Sequence, residues 1–306
     1  MTDIRTIATG LLFPEGPVVL EDGSIALVEI ARGTITRVFL DGRTEVVAEP
    51  GGGPNGLAIG PDKFFYVCNS GGSHWIREDG VLRSIPSDKH YTTGRIERVE
   101  PSTGKVEVLY EACDGHPLRG PNDLVFDREG GFYFTDLGKN LERSHDHGGV
   151  YYARPDGSHI VEVAYPALTP NGIGLSPDGT TLYVAEMEPS RLWAFDILSP
   201  GLVHKAPFPS PHGGRLVCGL PGYQGFDSLA VDGAGNIVVA TLYSGKVTAI
   251  APDGHVVREV VTGDPLTTNI CFGGAGNGTA YVTLGGFGAL VAMDWPEKGL
   301  PLAFGG

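Results

Sequence analysis

Six short stretches of this chain place an oxygen-bearing side chain at the same point of the same pattern. They begin at Glu15, Asn55, Asn122, Asn171, Asp227 and Thr268. Apolar residues follow two and four positions later and a turn about eight later, as in "PNGLAIGPDKFFYVCN" and "FDSLAVDGAGNIVVAT". None of the six is Lys, Arg, His or Cys. A converging set of carboxylate and carboxamide oxygens is costly unless something electropositive sits among them. A hard divalent cation meets that need, Ca2+ most naturally, with Zn2+, Mn2+ or Fe2+ also compatible with oxygen donors. A second set of polar residues lies 14 or 15 positions further on: Glu29, Asn69, Asp136, Glu186, Thr241 and Thr283.

The elements that must position these residues are strands. Spacings between successive anchors are 40, 67, 49, 56 and 41 residues. Each hairpin is followed by a third alternating run, such as "GTITRVFLDG" or "GKVTAIAPDG", and most by a fourth. Alternation with a period of two, broken by DG and PDG turns, marks antiparallel strands. Four strands per unit, six times over, predict an all-β, six-bladed β-propeller occupying residues 1–306 as one domain. The last unit is one strand short, and "DIRTIATG" at residues 3–10 is expected to close the ring.

Up-and-down connectivity then sorts the loops. The turns between first and second strands are tight and lie at one end. The long segments 70–93, 111–121, 137–148 and 204–226 are all expected at the other end, with the anchors. An elaborated face on a bare scaffold is where binding residues concentrate. Candidate substrate contacts there are Trp75, His90 and Tyr91 in the first segment and Arg119 in the second, with Asn55 and Asn122 below them. Asp136 and Asp123 are candidate catalytic acids beside Asp227.

Composition narrows the partners. The 306 residues carry 22 basic and 36 acidic side chains, a formal net charge of −14, which disfavours nucleic acid. The four cysteines have no CxxC spacing and three adjoin apolar runs, as reduced core residues do. No apolar run approaches the ~20 residues of a membrane span and no signal segment is apparent, so a cytoplasmic protein without a membrane partner is expected, as a monomer or weak homodimer.

"FPEGP" at 13–17, "GPNDLVFD" at 120–127, "TPNGIGLSPDG" at 169–179 and "GFDSLAVD" at 225–232 resemble the blade starts of the gluconolactonase, regucalcin and luciferin-regenerating-enzyme family. The resemblance runs over essentially the whole chain. It implies one divalent metal in the central channel, held by Glu15, Asn171 and Asp227, with Asn122 either completing the site or meeting the substrate. It also implies lactone hydrolysis, with Asp227 resembling the family's general base. Ser228 stands where many members have Gly, so a hydroxyl is available to join the metal site. No histidine follows His255, whereas a related phosphotriester-cleaving propeller has one late in the chain. An arylesterase or phosphotriesterase on the same cation, or a non-catalytic binding propeller, are the alternative readings.

Overall fold

The computed structural model describes residues 3–86 and 91–305, and it is a six-bladed β-propeller. Blade I is built from Pro14–Val19, Ile25–Glu29, Thr34–Val38 and Thr44–Ala48. Blade II consists of Pro54–Ile59, Phe65–Asn69, Arg95–Val99 and Val106–Tyr110, and blade III of Pro121–Phe126, Phe132–Asp136, Gly148–Ala153 and Ile160–Ala167. Blade IV comprises Pro170–Leu175, Thr181–Glu186, Arg191–Ser199 and Arg215–Gly219. Gly225–Val231, Ile237–Leu242, Lys246–Ile250 and Val256–Val261 form blade V. Blade VI has Thr267–Gly273, Thr279–Leu284 and Ala289–Asp294 from the end of the chain. Its outermost strand is Ile4–Thr9, paired from Ile4 against Met293 to Thr9 against Ala289. The chain's start therefore closes the ring, as the missing strand predicts.

Each inner strand packs on the next, and that of blade VI packs on that of blade I. The core is accordingly divided into six, one apolar cluster between each pair of neighbouring blades. Between blades II and III it is aromatic, with Tyr66, Phe126, Phe132 and Phe134 packed together. Between VI and I it is aliphatic, with Ile25 and Leu27 against Leu290 and Ala8. Cys68 and Cys113 belong to one of these clusters and Cys271 to another, and all four cysteines are free. Strand alternation puts every second side chain into one interface and the rest into the other. That is why second strands such as Phe65–Asn69 and Phe132–Asp136 are buried at every position.

The far-face turns are short and self-satisfied. In the Ser176–Gly179 turn, Asp178 Oδ1 accepts from Thr180 N (3.1 Å) and Ser176 Oγ (2.6 Å), and Gly179 takes φ 74°. On the opposite face an extra hairpin, His74–Glu78 with Val81–Ile85, rises from blade II. One expectation needs correcting. Residues 204–214 do not belong to the elaborated face, because Leu202–Val203 and Arg215–Gly219 both pair with Arg191–Ser199. The segment is thus an excursion from the outer edge of blade IV that reaches back to Glu186 through His212 (Nε2–Oε1 3.7 Å), and the residues after Gly219 lead on to the next inner strand.

Ring closure gives a direct stability test. Ala8 is buried in the VI–I interface, opposite Leu290. Ala8→Asp puts an unpaired carboxylate there and should lower the unfolding free energy by roughly 3 kcal/mol in a urea titration. An unchanged midpoint would mean that the first strand does not hold the ring.

Candidate functional site

The second set of polar residues works on the backbone. Glu29 Oε2 accepts from Leu12 N (2.7 Å), and its Oε1 accepts from Thr36 Oγ1 (2.6 Å). Asn69 Oδ1 accepts from Gly53 N (2.9 Å) and Gly71 N (3.1 Å). Asp136 accepts from Arg119 N (2.6 Å), Gly120 N (2.7 Å) and Gly138 N (2.9 Å). Glu186 accepts from Leu168 N (2.8 Å) and Trp193 Nε1 (2.7 Å). In all four blades a donor lies two or three residues before the anchor, so each acceptor holds the chain entering the inner strand. Thr241 and Thr283 instead share hydroxyl contacts with Thr248 (3.0 Å) and Thr268 (2.9 Å). Asp136, expected as a catalytic acid, has both oxygens committed to loop N–H groups.

The anchors themselves converge on the channel. Asn269 Nδ2 donates to Glu15 Oε2 (2.7 Å), and Gly16 N donates to the same oxygen (2.6 Å). The Asn171 amide bonds the Asp227 carboxylate, and Ser228 Oγ lies 3.3 Å from Asn171 Oδ1 while also bonding Asp123. Asp123 Oδ1 accepts from Leu124 N (2.9 Å). The structure thus gathers Glu15, Asp123, Asn171, Asp227 and Ser228, all buried. Asn122 is buried on the neighbouring inner strand, and its Oδ1 has no hydrogen-bond partner among the described residues. Asn55 stands half-buried at the start of the blade II inner strand.

In blade VI the anchor is Asn269, not Thr268. A bulge between Thr267 and Asn269 shifts the register, and Thr268 Oγ1 turns away to donate to Pro14 O (2.9 Å). The signal was in the spacing: Asn269 precedes Thr283 by 14 residues, as Glu15 precedes Glu29. The glycines after three anchors answer a packing demand. A Cβ on Gly16 would stand 2.7 Å from Asn55 O, and one on Gly172 would stand 2.7 Å from Asp227 O. Blades III and V carry Asp123 and Ser228 at that place, which adds a carboxylate and a hydroxyl to the cluster.

Burial pushes the Glu15 and Asp227 carboxyls well up. Repulsion adds to this, from Asp227 and Asp123 on Glu15 and from Asp123 on Asp227. Burial likewise raises Asp123 to about 7. Among the described residues no basic side chain opposes these shifts. Carboxylates, carboxamides and an orphaned amide oxygen are donors of the type a hard divalent cation takes, so the residue types fit such a group, while no three acidic, histidine or cysteine side chains among the described residues are grouped as a ready-made metal site. Below the cluster the channel widens into a cavity of about 420 Å³ lined by Val18, Ile59, Phe126, Leu175 and Phe272. The C-terminal segment Leu300–Phe304 lines its far end, with Phe304 edge-on to Phe126.

On the loop face the sequence-derived contacts are spoken for. Trp75 packs its ring on Phe13 (4.8 Å between centroids), and Leu82 N donates to Gly286 O (2.9 Å). The extra hairpin therefore straps blade II to blades I and VI. Tyr91 Oη donates to Arg119 O (2.9 Å), and Arg119 Nε bonds Asp146 Oδ2 (2.8 Å). His90 lies outside the described residues. Lys139, which sequence reasoning missed, is buried beneath these loops. Its Nζ donates to Ser70 O (3.1 Å) and Gly72 O (2.5 Å) and lies 4.7 Å from the centre of the Tyr91 ring. Burial lowers its pKa to about 8. A single lysine in a loop carries no periodic signal, so only the fold reveals it.

Two measurements follow. Asp136→Ala strands three backbone donors and should cost about 3 kcal/mol of stability, read by thermal or urea unfolding. The channel acids make stability pH-dependent. Their folded pKa values are raised, so the folded state binds more protons than the unfolded chain between about pH 4 and 7. Without added cation, stability should therefore fall as pH rises through that window, with Asp123 alone contributing on the order of 4 kcal/mol. A chelated sample whose melting temperature rises from pH 4.5 to 7.5 would contradict this.

Comparison with known proteins gives a consistent result. The chain is 28% identical to a gluconolactonase of Zymomonas mobilis subsp. mobilis over 305 residues, covering 90% of this chain and 77% of that protein. It is 30% identical to lactonase drp35 of Staphylococcus saprophyticus subsp. saprophyticus over 251 residues, covering 78% of this chain and 66% of that protein. The crystal structure of a calcium-binding protein, regucalcin, from Agrobacterium tumefaciens superposes with a TM-score of 0.76 at 20% identity, covering 99% and 97% of the two chains. That superposition establishes the shared propeller fold. Residues 13–286 match the SMP-30/Gluconolactonase/LRE-like region, and the chain belongs to that family.

Proposed function

We propose that this protein is a divalent-cation-dependent lactonase whose reaction centre is the cluster at the loop-face mouth of the channel. The observation that carries the reading is the set of three buried carboxylates, two of them bonded to Asn amides, beside the orphaned Asn122 Oδ1. The gluconolactonase and lactonase relatives supply the substrate class.

Glu15, Asn122, Asn171 and Asp227 are the residues that would hold the cation, Ca2+ being the ion that best suits four oxygen donors. The chemistry such a cation would supply there is polarisation of the lactone carbonyl and compensation of the charge developing on its oxygen. The Asn269 amide fixes one oxygen of Glu15 and leaves the other free to face the channel. Asn171 orients Asp227 in the same way. Asp123 has its Oδ1 on Leu124 N and the Ser228 hydroxyl beside it. It is the carboxylate we assign to accept the proton of the attacking water, because it is the acid left over when Glu15, Asn122, Asn171 and Asp227 hold the cation. After attack the same proton passes to the leaving alkoxide oxygen, so ring opening yields a hydroxy acid with no covalent enzyme intermediate. Asp136 has no part in this chemistry, since its oxygens are occupied by backbone donors.

The test is acid release from glucono-δ-lactone. Chelation should abolish it and Ca2+ should restore it, with the melting temperature rising on Ca2+ addition. Asp227→Asn should lower kcat/KM by roughly 10³-fold at unchanged secondary structure, the scale of losing one preorganised charge in a reaction centre. Asp123→Asn should depress kcat while leaving the Ca2+-induced stabilisation in place. Hydrolysis indifferent to chelator and to Asp227→Asn would sink the cation-dependent reading.

A further inference from the structure

The strongest unexplained feature lies beside the reaction centre rather than in it. Tyr243 follows the second strand of blade V, whose Leu242 pairs with Gly225, two residues before Asp227. Its backbone has φ 65°, and Ser244 N donates to Leu242 O (2.7 Å) across it. This is a γ-turn of the positive-φ kind, which is rare and strained for any residue with a Cβ and most of all for a bulky one. Glycine would relieve it. Strain of this kind persists where the side chain has a task, and core packing is not that task, because Tyr243 is 43% exposed.

The side chain instead forms a wall of the site. Tyr243 Cε2 and Met187 Cγ stand in contact with the Gly225 position, 3.4 and 3.5 Å from where its Cβ would lie. Met187 Sδ in turn accepts from Asn171 Nδ2 (3.9 Å). Tyr223, 84% exposed, stacks on Tyr243 with centroids 4.7 Å apart and planes 14° apart. Glu188 is half-exposed on the same rim, 4.0 Å from His145.

We propose that the Tyr243–Tyr223 pair is the substrate platform of this site, the surface on which the lactone ring is seated. The proposal rests on the lactonase reading above and adds to it the residues that seat the ring. A phenol face at a wet rim takes the flat C–H face of a sugar-derived ring, and the Glu188 carboxylate beside it accepts from ring hydroxyls. Three buried acids and a net charge of −14 disfavour an anionic substrate. A lactone with an alkyl tail would need an apolar slot open to the loop face. The large apolar cavity among the described residues lies below the carboxylates, toward the opposite face.

The test uses binding as well as turnover. Glucono-δ-lactam, a non-hydrolysable analogue, is titrated calorimetrically into the full-length protein supplied with Ca2+. Tyr243→Ala should weaken binding about tenfold, the scale of one aromatic stacking contact, and Tyr223→Ala two- to threefold. Tyr243→Phe, which keeps the face, should bind as the parent does, and melting temperatures check that each variant is folded. In turnover, Tyr243→Ala should raise KM for glucono-δ-lactone more than it lowers kcat. Equal lactam affinity in the parent protein and Tyr243→Ala would overturn the proposal. If the lactam binds in a Tyr243-dependent way and no lactone is hydrolysed, the platform stands and the lactonase reading fails.

Discussion

Burial of three carboxyls, Glu15, Asp123 and Asp227, in one channel, with repulsion adding to it at Glu15 and Asp227, is the constraint around which the molecule is arranged. Burial and proximity both raise the energy of the ionised forms, and no lysine or arginine among the described residues answers them. Such a cluster is stable only as protons are taken up or as an external cation enters. The fold keeps the acids together all the same, because each begins a different inner strand and ring closure leaves those starts nowhere else to go. Carboxamides from Asn171 and Asn269 support two of the acids without neutralising them, which preserves the demand for positive charge.

Holding side chains in so unfavourable a place requires rigid backbone entering each strand. Glu29, Asn69, Asp136 and Glu186 provide it by accepting N–H groups two or three residues upstream of the anchors. These bonds are charge-assisted in three of the four blades and shielded from water, so they are stronger than ordinary loop contacts. The six apolar interfaces add the outer restraint. Neighbouring inner strands approach closely enough that Gly16, Gly56 and Gly172 leave no room for a side chain. Precision at the channel mouth thus comes from packing outside it, and the strained Tyr243 turn is borne by the same scaffold.

Much of this was legible before folding. Period-two alternation and DG turns reflect the two faces of a strand and the geometry of tight turns, both local properties, so blade number and the closing role of Ile4–Thr9 could be read directly. The reading was incomplete where locality failed. Thr268 and Asn269 are both polar and adjacent, and a bulge decides which faces the channel. Asp136 looks like a free acid until the loops that donate to it are in place. Trp75 reads as a substrate contact in an insertion, yet Phe13 lies opposite it only because the hairpin crosses two blades. The 204–214 segment was misplaced because a strand interrupted and resumed on one edge looks like a loop between strands.

The sequence by itself determined the architecture, the family and the oxygen-rich character of the channel, because repeated local patterns encode repeated local structure. Only the tertiary structure decided which oxygens meet, which acids are spent on backbone donors, and where Lys139 and Tyr243 stand. Those facts depend on residues far apart in the chain, such as Glu15 and Asn269, brought together by ring closure. Desolvation and mutual repulsion arise only at that point, and they turn a row of ordinary turn residues into a site with a chemical requirement.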